Sequence, residues 1–260
     1  MAVDWIDVSD LSFNSLLLLE RVQLSWFPGW VPEREFGIAL RANPVVAWYV
    51  SHKCPDIASW VDAAIEKTPP TGALVSVREA EEEVMRSIDD LLVYVIDPTL
   101  YDARPFLGWD SSELTDLVDF SGKTLIDVGS GTGRLALVAA PNAAAVFAVE
   151  PVANLRLFLK EKARRRGFSN VYPAGGSITD IPFPDAFADA TMGGHVFGDD
   201  PEDEVREVHR VTKPGGIVIA CPGNDDVDNA MHRVFVAHGF DWSRFDEPED
   251  GTKHKYWKSV

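Results

Sequence analysis

The sequence has no surplus of basic residues. Its 260 residues include 24 lysines and arginines against 41 aspartates and glutamates, which gives a formal net charge of −17. A nucleic acid is bound through its phosphates and needs a basic surface, so we expect no nucleic-acid partner. The one compact basic cluster, at 160–166, lies at the end of a predicted helix, where positive charge stabilises the helix dipole.

Cysteines and long apolar runs are also scarce. The two cysteines, Cys54 and Cys221, are far apart and each precedes a proline, so we expect no disulfide framework and no metal site. The apolar run Leu16–Leu19 is too short to span a bilayer. The N-terminal segment is acidic where a signal peptide would be basic. These observations predict a cytoplasmic protein without a membrane partner.

The most informative stretch is residues 124–150. The apolar run Thr124–Val128 has the length and composition of a buried parallel strand. It leads into the glycine-rich turn Gly129–Gly133 and then into a helical segment, Arg134–Ala140. A second apolar run, Ala145–Val149, ends at Glu150. This order of elements is the first half of a nucleotide-binding βαβ unit.

The glycine turn and Glu150 each have a physical reason to be at a nucleotide site. Glycine lets the backbone turn sharply and lets a ligand approach main-chain atoms that a Cβ would shield. A carboxylate at the tip of the second strand can accept hydrogen bonds from both hydroxyls of a ribose. An ordinary glycine-rich strand-to-helix turn is the alternative, but it would not explain Glu150.

The spacing of the glycines separates two classes of cofactor. A dinucleotide fingerprint would need a third glycine at position 134, where this chain has Arg134. The turn is instead G-x-G-x-G, and Asp127 stands two residues before its first glycine. This pattern resembles motif I of the class I S-adenosylmethionine-dependent methyltransferases, whose ligand presents an amino-acid group and no pyrophosphate.

The resemblance covers roughly residues 110–260 and includes the turn Lys213–Gly216, which leads into a fifth strand. It implies a Rossmann-like α/β fold, a seven-stranded and mostly parallel sheet with one antiparallel strand and helices on both faces. It also implies a closing antiparallel pair, formed by residues 239–245 and 253–260 and joined by acidic residues 246–251. We therefore predict a methyltransferase domain at 101–260 and a separate helical region at 1–100.

The helical region contains no cofactor motif and lies outside the resemblance. Ser76 and Glu79 have the spacing of a capping box and predict a helix that runs through Val95. Five tryptophans either fill a helical core or line a lid over an acceptor. They are Trp5, Trp26, Trp30, Trp48 and Trp60.

The resemblance also implies a set of residues that bind S-adenosylmethionine and its product S-adenosylhomocysteine. Ser177 and Ile178 stand where the family commonly has an acid that binds the adenine, so the polar contact to adenine would come from a serine. Tyr101 and Trp109 either contact the sulfonium or pack between domains. The predicted donor-binding residues are Asp127, Gly129, Ser130, Gly131, Gly133, Glu150, Pro151, Ser177, Ile178, Gly193, Gly194 and Tyr101.

His195 is the predicted catalytic residue. It follows the fourth predicted strand, and ligands of open α/β sheets bind at the carboxyl ends of the strands. His195 is expected to act as a general base for the acceptor, to bind the acceptor as a donor, or to be satisfied by its own loop. Asp199 and Asp200 are alternative bases or caps of the next helix.

The sequence therefore predicts an enzyme that transfers a methyl group from S-adenosylmethionine to a small-molecule acceptor by in-line displacement. Three other hypotheses stay open at this point. They are an NAD(P)-dependent oxidoreductase, a non-catalytic regulator that binds S-adenosylmethionine, and a protein methyltransferase. A homodimer is compatible with the sequence.

Overall fold

The computed structural model describes residues 5–68 and 76–260. Contacts between Cα atoms divide the chain into two compact units, Met1–Tyr101 and Asp102–Val260. Among the described residues, no helix combines the length and the apolar character needed to cross a membrane.

The first unit is helical in its described part, as predicted. Its 3-10 helices are Phe13–Leu18 and Pro55–Ile57. Its α-helices are α1 (Arg21–Ser25), α2 (Phe27–Trp30), α3 (Glu33–Ala42), α4 (Pro44–Lys53), α5 (Ala58–Lys67), α6 (Val77–Arg86) and α7 (Asp89–Ile96). A further short helix, α8 (Pro98–Asp102), follows.

The predicted capping box is present, but the helix it opens is shorter than predicted. The side chain of Ser76 accepts a hydrogen bond from the Glu79 N–H, and the Glu79 side chain accepts one from the Ser76 N–H. The predicted helix through Val95 is broken at Ser87 and Ile88, between α6 and α7. Ile88 is fully buried in the core of the unit with a non-helical backbone, so tertiary packing ends the helix here.

The second unit, which the structure describes completely, is an α/β sheet structure. Its helices are a 3-10 helix at Pro105–Gly108, α9 (Ser112–Thr115), α10 (Arg134–Ala139), α11 (Ala153–Arg165), α12 (Pro201–Val211) and α13 (Ala230–Ala237). Its strands are β1 (Thr124–Val128), β2 (Ala145–Val149), β3 (Val171–Ala174), β4 (Ala188–Gly193), β5 (Thr212–Asp225), β6 (Asp241–Glu247) and β7 (Gly251–Ser259).

Within residues 102–260 the strands form one seven-stranded sheet with the order β3-β2-β1-β4-β5-β7-β6. Strands β1 to β5 run parallel to one another, and β7 runs antiparallel to both β5 and β6. The predicted fold class is confirmed. The strand order reverses between β1 and β4, which is where an open α/β sheet binds its ligand.

Both faces of this sheet are buried, and the alternation of side chains along each strand decides which face they line. Leu125 of β1 packs in one apolar cluster with α10 and α11, and its neighbour Ile126 packs in another with α12 and α13. This arrangement leaves the carboxyl ends of β1, β2 and β4 as the edge at which polar side chains gather.

Candidate functional site

The glycine turn after β1 adopts a backbone conformation that other residues disfavour. The φ angles of Gly129, Gly131 and Gly133 are 63°, 51° and 88°, all in the left-handed region where a Cβ is strained. A Cβ at Gly129 would lie 2.4 Å from Val196 Cγ2, and one at Gly133 would lie 2.1 Å from Leu159 Cδ1. The turn is therefore held in place by Val196, in the loop after β4, and by Leu159 of α11. Val196 was not among the residues predicted from the sequence.

Glu150 lies beside this turn. Its Oε2 accepts a hydrogen bond from the Gly131 N–H at 2.9 Å, and its Oε1 accepts one from the Val152 N–H at 2.8 Å. The residue is 5% exposed. Burial raises the pKa of Glu150 above its ordinary value, although both N–H donors favour the carboxylate. Each carboxylate oxygen keeps a second lone pair, so the group can still accept two further hydrogen bonds.

Asp127, in β1, is hydrogen-bonded to the helix that follows the glycine turn. Its Oδ2 accepts a hydrogen bond from the Ala136 N–H at 2.9 Å, in the first turn of α10. Burial raises the pKa of Asp127 to about 8; the Ala136 N–H opposes this shift, and the nearby Glu150 charge adds to it. Asp127 thus joins the end of β1 to the first turn of α10, on the two sides of the glycine turn.

Two cations of α11 hold the same region. Lys162 Nζ donates to the Thr132 carbonyl at 3.1 Å and forms an ion pair with Asp102 at 2.5 Å. Burial lowers the pKa of Lys162, and the contact with Asp102 opposes that shift. Arg156 donates to the Glu150 carbonyl at 2.6 Å and to the Pro151 carbonyl at 2.8 Å. Pro151 lies before α11 and contributes its carbonyl to this contact.

Ser130 supplies a polar atom that the protein itself does not use. Its Oγ is buried and has no hydrogen-bond partner among the described residues. A buried hydroxyl without a partner is unfavourable, and here it stands between two glycines of the turn. It therefore fits a polar ligand group bound against the turn.

Ser177 and Ile178 follow β3, next to the Glu150 edge. Glu150 N–H donates to the Ala174 carbonyl at 3.0 Å, which joins the ends of β2 and β3. Ser177 and Asp180 are joined by mutual backbone hydrogen bonds, and Ser177 Oγ lies 3.3 Å from Thr179 Oγ1. Ile178 is partly buried and packs on the α12 and α13 side of the sheet. The serine hydroxyl is thus near the edge but already has a local contact.

Gly193 and Gly194 connect β4 to the loop that carries His195. Gly193 pairs with Val128 at the end of β1, and a Cβ there would lie 2.8 Å from Val196 Cγ1. A Cβ at Gly194 would lie 2.9 Å from the Cys221 carbonyl oxygen. These glycines allow the loop to pack closely on β1 and β5.

His195 is held in an unusual conformation by three contacts. Its φ is 54°, in the left-handed region, and its N–H donates to the Pro222 carbonyl at 3.0 Å. Its ring meets the ring of Phe106 edge to face with centroids 5.5 Å apart. Its Nε2 lies 2.8 Å from Oε1 of Glu247. A non-glycine residue held at positive φ by its surroundings is typical of a functional position.

Glu247 is a site residue that the sequence reasoning missed. Residues 246–251 were expected to form the loop of the last hairpin, whereas Glu247 is the final residue of β6 and its side chain is fully buried. Burial alternates at the end of β6, where Phe245 and Glu247 are buried and Asp246 between them is exposed, but the sequence there has no matching apolar alternation that could have indicated it.

The remaining predicted residues have contacts of other kinds. Tyr101 belongs to the first unit, where its ring packs on Trp5 and Tyr94 at centroid distances of 6.1 and 4.9 Å; its contact with a donor stays a prediction. Trp109 is a buried core residue with the Arg134 guanidinium 4.4 Å from its ring centroid. Asp200 caps α12 by accepting from the Asp203 N–H.

Comparison with known proteins identifies the fold of this site. The protein family described as "Methyltransferase domain" matches residues 126–220, which run from β1 to β5 and include the glycine turn, Glu150 and His195. This part of the chain therefore matches a methyltransferase domain, and the resemblance noted from the sequence motif is confirmed.

Two curated relatives are demethylmenaquinone methyltransferases. The protein of Geobacillus kaustophilus (strain HTA426) is 29% identical over 121 residues, which cover 45% of this chain and 52% of the relative. That of Geobacillus stearothermophilus is 30% identical over 122 residues, with the same shares of the two chains. The chain thus spans about half the length of the curated relatives it matches.

Among solved structures, an S-adenosylmethionine-dependent methyltransferase from Aquifex aeolicus has a TM-score of 0.48 and 18% identity. The match covers 62% of this chain and 97% of that one.

Proposed function

We propose that this chain is a methyltransferase that binds S-adenosylmethionine and transfers its methyl group to a small-molecule acceptor. The contact between the Gly131 N–H and the Glu150 carboxylate carries the proposal. It joins the turn that can cradle an amino-acid group to the acid that can hold a ribose. Both elements lie within the part of the chain that matches the methyltransferase domain.

The residues present fit this donor. The free lone pairs of Glu150 would accept from the two ribose hydroxyls, and the partnerless Ser130 Oγ would donate to the carboxylate of the amino-acid end. The backbone of the glycine turn would cradle that end, with Asp127 and Lys162 fixing the turn. Ser177 and Ile178 would contact the adenine.

The chemistry requires mainly alignment. The bound donor supplies a methyl group on a sulfonium that is already activated. The protein's task is to hold the acceptor atom in line, and such positioning can remove roughly 7–11 kcal/mol from a barrier. His195, in the loop that packs on Gly129 through Val196, is the residue we assign to the acceptor.

The first experiment measures donor binding without a known acceptor. S-adenosylhomocysteine at about 100 times its Kd should stabilise the protein by roughly 2.7 kcal/mol, which a thermal melt detects. Glu150→Ala should abolish the shift, while Glu161→Ala, which removes an exposed glutamate of α11, should keep it. An unshifted native protein would refute the proposal, and NADH in the same assay tests the oxidoreductase hypothesis.

The second experiment tests transfer itself. The protein is incubated with methyl-labelled S-adenosylmethionine and a panel of small acceptors, and labelled product is counted. Demethylmenaquinone belongs in the panel because it appears in the names of both relatives. Binding of S-adenosylhomocysteine without transfer to any small molecule, together with transfer to a protein, would favour the protein methyltransferase hypothesis.

The cysteines support the further proposal of a cytoplasmic protein. Cys54 and Cys221 are both buried and unpaired. Burial raises the pKa of the Cys221 thiol to about 12, so it is unreactive at neutral pH. Reaction of the folded protein with a thiol reagent should therefore be slow. Rapid labelling of Cys221 would contradict the burial and the raised pKa of its thiol.

A further inference from the structure

We infer that Glu247 is the positioning residue of His195, and that the pair accepts the proton of a hydroxyl group on the acceptor. This inference rests on the proposed methyl transfer and adds to it a second residue and a class of acceptor. Glu247 and His195 are 52 residues apart in the chain, and the sheet brings the end of β6 to the loop that follows β4.

The two side chains of the pair differ in exposure. The Glu247 side chain is fully buried, whereas that of His195 is 32% exposed. One ring nitrogen, Nε2, therefore faces the protein interior at 2.8 Å from Oε1 of Glu247. The other, Nδ1, makes no hydrogen bond to any residue in the described part of the chain.

The charge on Glu247 determines the proton arrangement on the ring. A carboxylate only accepts hydrogen bonds, so Nε2 must carry the hydrogen and Nδ1 must present its lone pair. When Nδ1 takes up a proton, the carboxylate stabilises the imidazolium that forms, as the buried acid does in a Ser-His-Asp triad. His195 is thus arranged as a proton acceptor rather than as a donor to the acceptor molecule.

The second oxygen of Glu247 supports a functional rather than a structural role. Oε2 is buried and makes no hydrogen bond to a described residue. The nearest cation is Lys253, with its Nζ 4.0 Å away, and this ammonium already pairs with Asp225 at 2.5 Å and Asp250 at 2.9 Å. A carboxylate kept only to stabilise the hairpin would be expected to have partners on both oxygens.

A base in this position has consequences for the acceptor. A tertiary amine or a thioether attacks a methyl group with a lone pair that is already free, whereas a hydroxyl group must lose its proton. In the inferred step the acceptor O–H bond breaks and an Nδ1–H bond forms on His195. The oxygen forms the new bond to the methyl carbon, and the electron pair of the C–S bond goes to sulfur. The proton then leaves His195 to solvent.

The pair can be tested without an acceptor by nuclear magnetic resonance of protein labelled with 15N-histidine. The His195 signals are assigned by their loss in His195→Asn. We expect a downfield Nε2–H resonance that disappears in Glu247→Met and persists in Glu247→Gln, whose amide oxygen still accepts.

A matched control is available on the neighbouring strand. Asp226 Oδ1 lies 2.7 Å from Nε2 of His254, so Asp226→Asn removes a carboxylate from another histidine of the same unit. It should leave the His195 signals unchanged. An Nε2–H resonance that persists unchanged in Glu247→Met would overturn the inference. Thermal stabilisation by S-adenosylhomocysteine in these variants reports separately on the proposed function.

Transfer assays test the class of acceptor. The probe is a set of phenols, each matched with the dimethylaniline of the same ring, together with methyl-labelled S-adenosylmethionine. We expect transfer to the phenol oxygen, with kcat lowered at least about tenfold by Glu247→Gln and more by His195→Asn. The KM for the donor should stay unchanged. Transfer to the dimethylanilines alone, or a native kcat in Glu247→Gln, would overturn the inference.

Discussion

The two units of this chain use their interiors differently. Among the described residues of the first unit, the buried polar or charged side chains are those of Gln23 and Thr68. The second unit buries many ionisable groups. They are Asp127, Glu150, Glu204, Glu247, Lys253, Lys255, His232 and His254.

The difference shows that the second unit bears the free-energy cost of burying ionisable groups. Burying an ionisable group is unfavourable unless it is paired, and an apolar core of the first unit's kind stabilises a fold without that cost. In the second unit, the buried acids Glu150 and Glu204 accept hydrogen bonds from backbone N–H groups of loops at the sheet edge. Glu204, for example, accepts from the N–H groups of Gly198 and Asp200 in the loop after His195. These acids hold loops in place.

The largest effect is expected from the apolar core of the first unit. Phe36 is fully buried, and its ring packs on those of Phe27 and Trp60 with centroid distances of 5.6 and 5.2 Å. Phe36→Ala should cost about 3–5 kcal/mol of stability, because it leaves a cavity. Trp48→Ala, at a 59% exposed aromatic of the same unit, should cost about 0.5 kcal/mol or less. Urea unfolding measures both, and equal costs would contradict the comparison.

The glycine turn of the second unit should show the next largest effect. Gly133→Ala strains a left-handed residue and drives its Cβ into Leu159, which is fully buried. Gly167→Ala is the control, because Gly167 has a similar φ of 81° and open space around its Cβ position. Strain alone costs roughly 1–2 kcal/mol, and the clash should add about 1–3 kcal/mol at Gly133. Equal unfolding free energies for the two variants would remove the packing argument.

The buried acid of β1 should make stability depend on pH. The pKa of Asp127 is 3.8 when unperturbed and about 8 in the folded protein. Between these values the folded state holds a proton that the unfolded chain releases, so stability should fall as pH rises through this window. Asp127→Asn mimics the protonated group and should raise stability at pH 8 by more than about 1.4 kcal/mol, the equivalent of one pKa unit.

Unfolding of both proteins at pH 5 and pH 8 measures the difference. An identical pH dependence in the native protein and in Asp127→Asn would contradict the assignment. Asp119→Asn gives a control of opposite sign. The Ser121 side chain and N–H lower the pKa of this exposed carboxyl, so its contribution to stability is lost as the pH falls.

The smallest effect is expected at a helix terminus of the first unit. Ser76 Oγ accepts from the Glu79 N–H at 3.1 Å and caps α6. Ser76→Ala should lower stability by about 1 kcal/mol, and Ser76→Asp should restore most of it because aspartate also caps helices well. Circular dichroism during thermal unfolding compares the three proteins. A loss of unfolding free energy as large as that of Phe36→Ala would mean that the cap of α6 contributes as much stability as a core side chain of this unit, which would contradict this ranking.

The strand β1, the glycine turn and Glu150 follow from local signals. The buried strand β1, the left-handed glycines and β2 are each encoded within a few residues, and parallel pairing of β1 with β2 brings Glu150 to the turn. The acidic stretch around Glu247 favoured a loop, and no local pattern indicated the burial of its side chain in β6.

The sequence by itself determined the class of fold and the bounds of β1 and β2, because periodicity and glycine spacing act over short distances; the predicted turn Lys213–Gly216 instead lies within β5. Only the tertiary structure decided that Val196 fills the space beside Gly129, that Ile88 interrupts a helix, and that Glu247 meets His195. These contacts join residues distant in the chain, and no local pattern encodes which side chains the order of strands brings together.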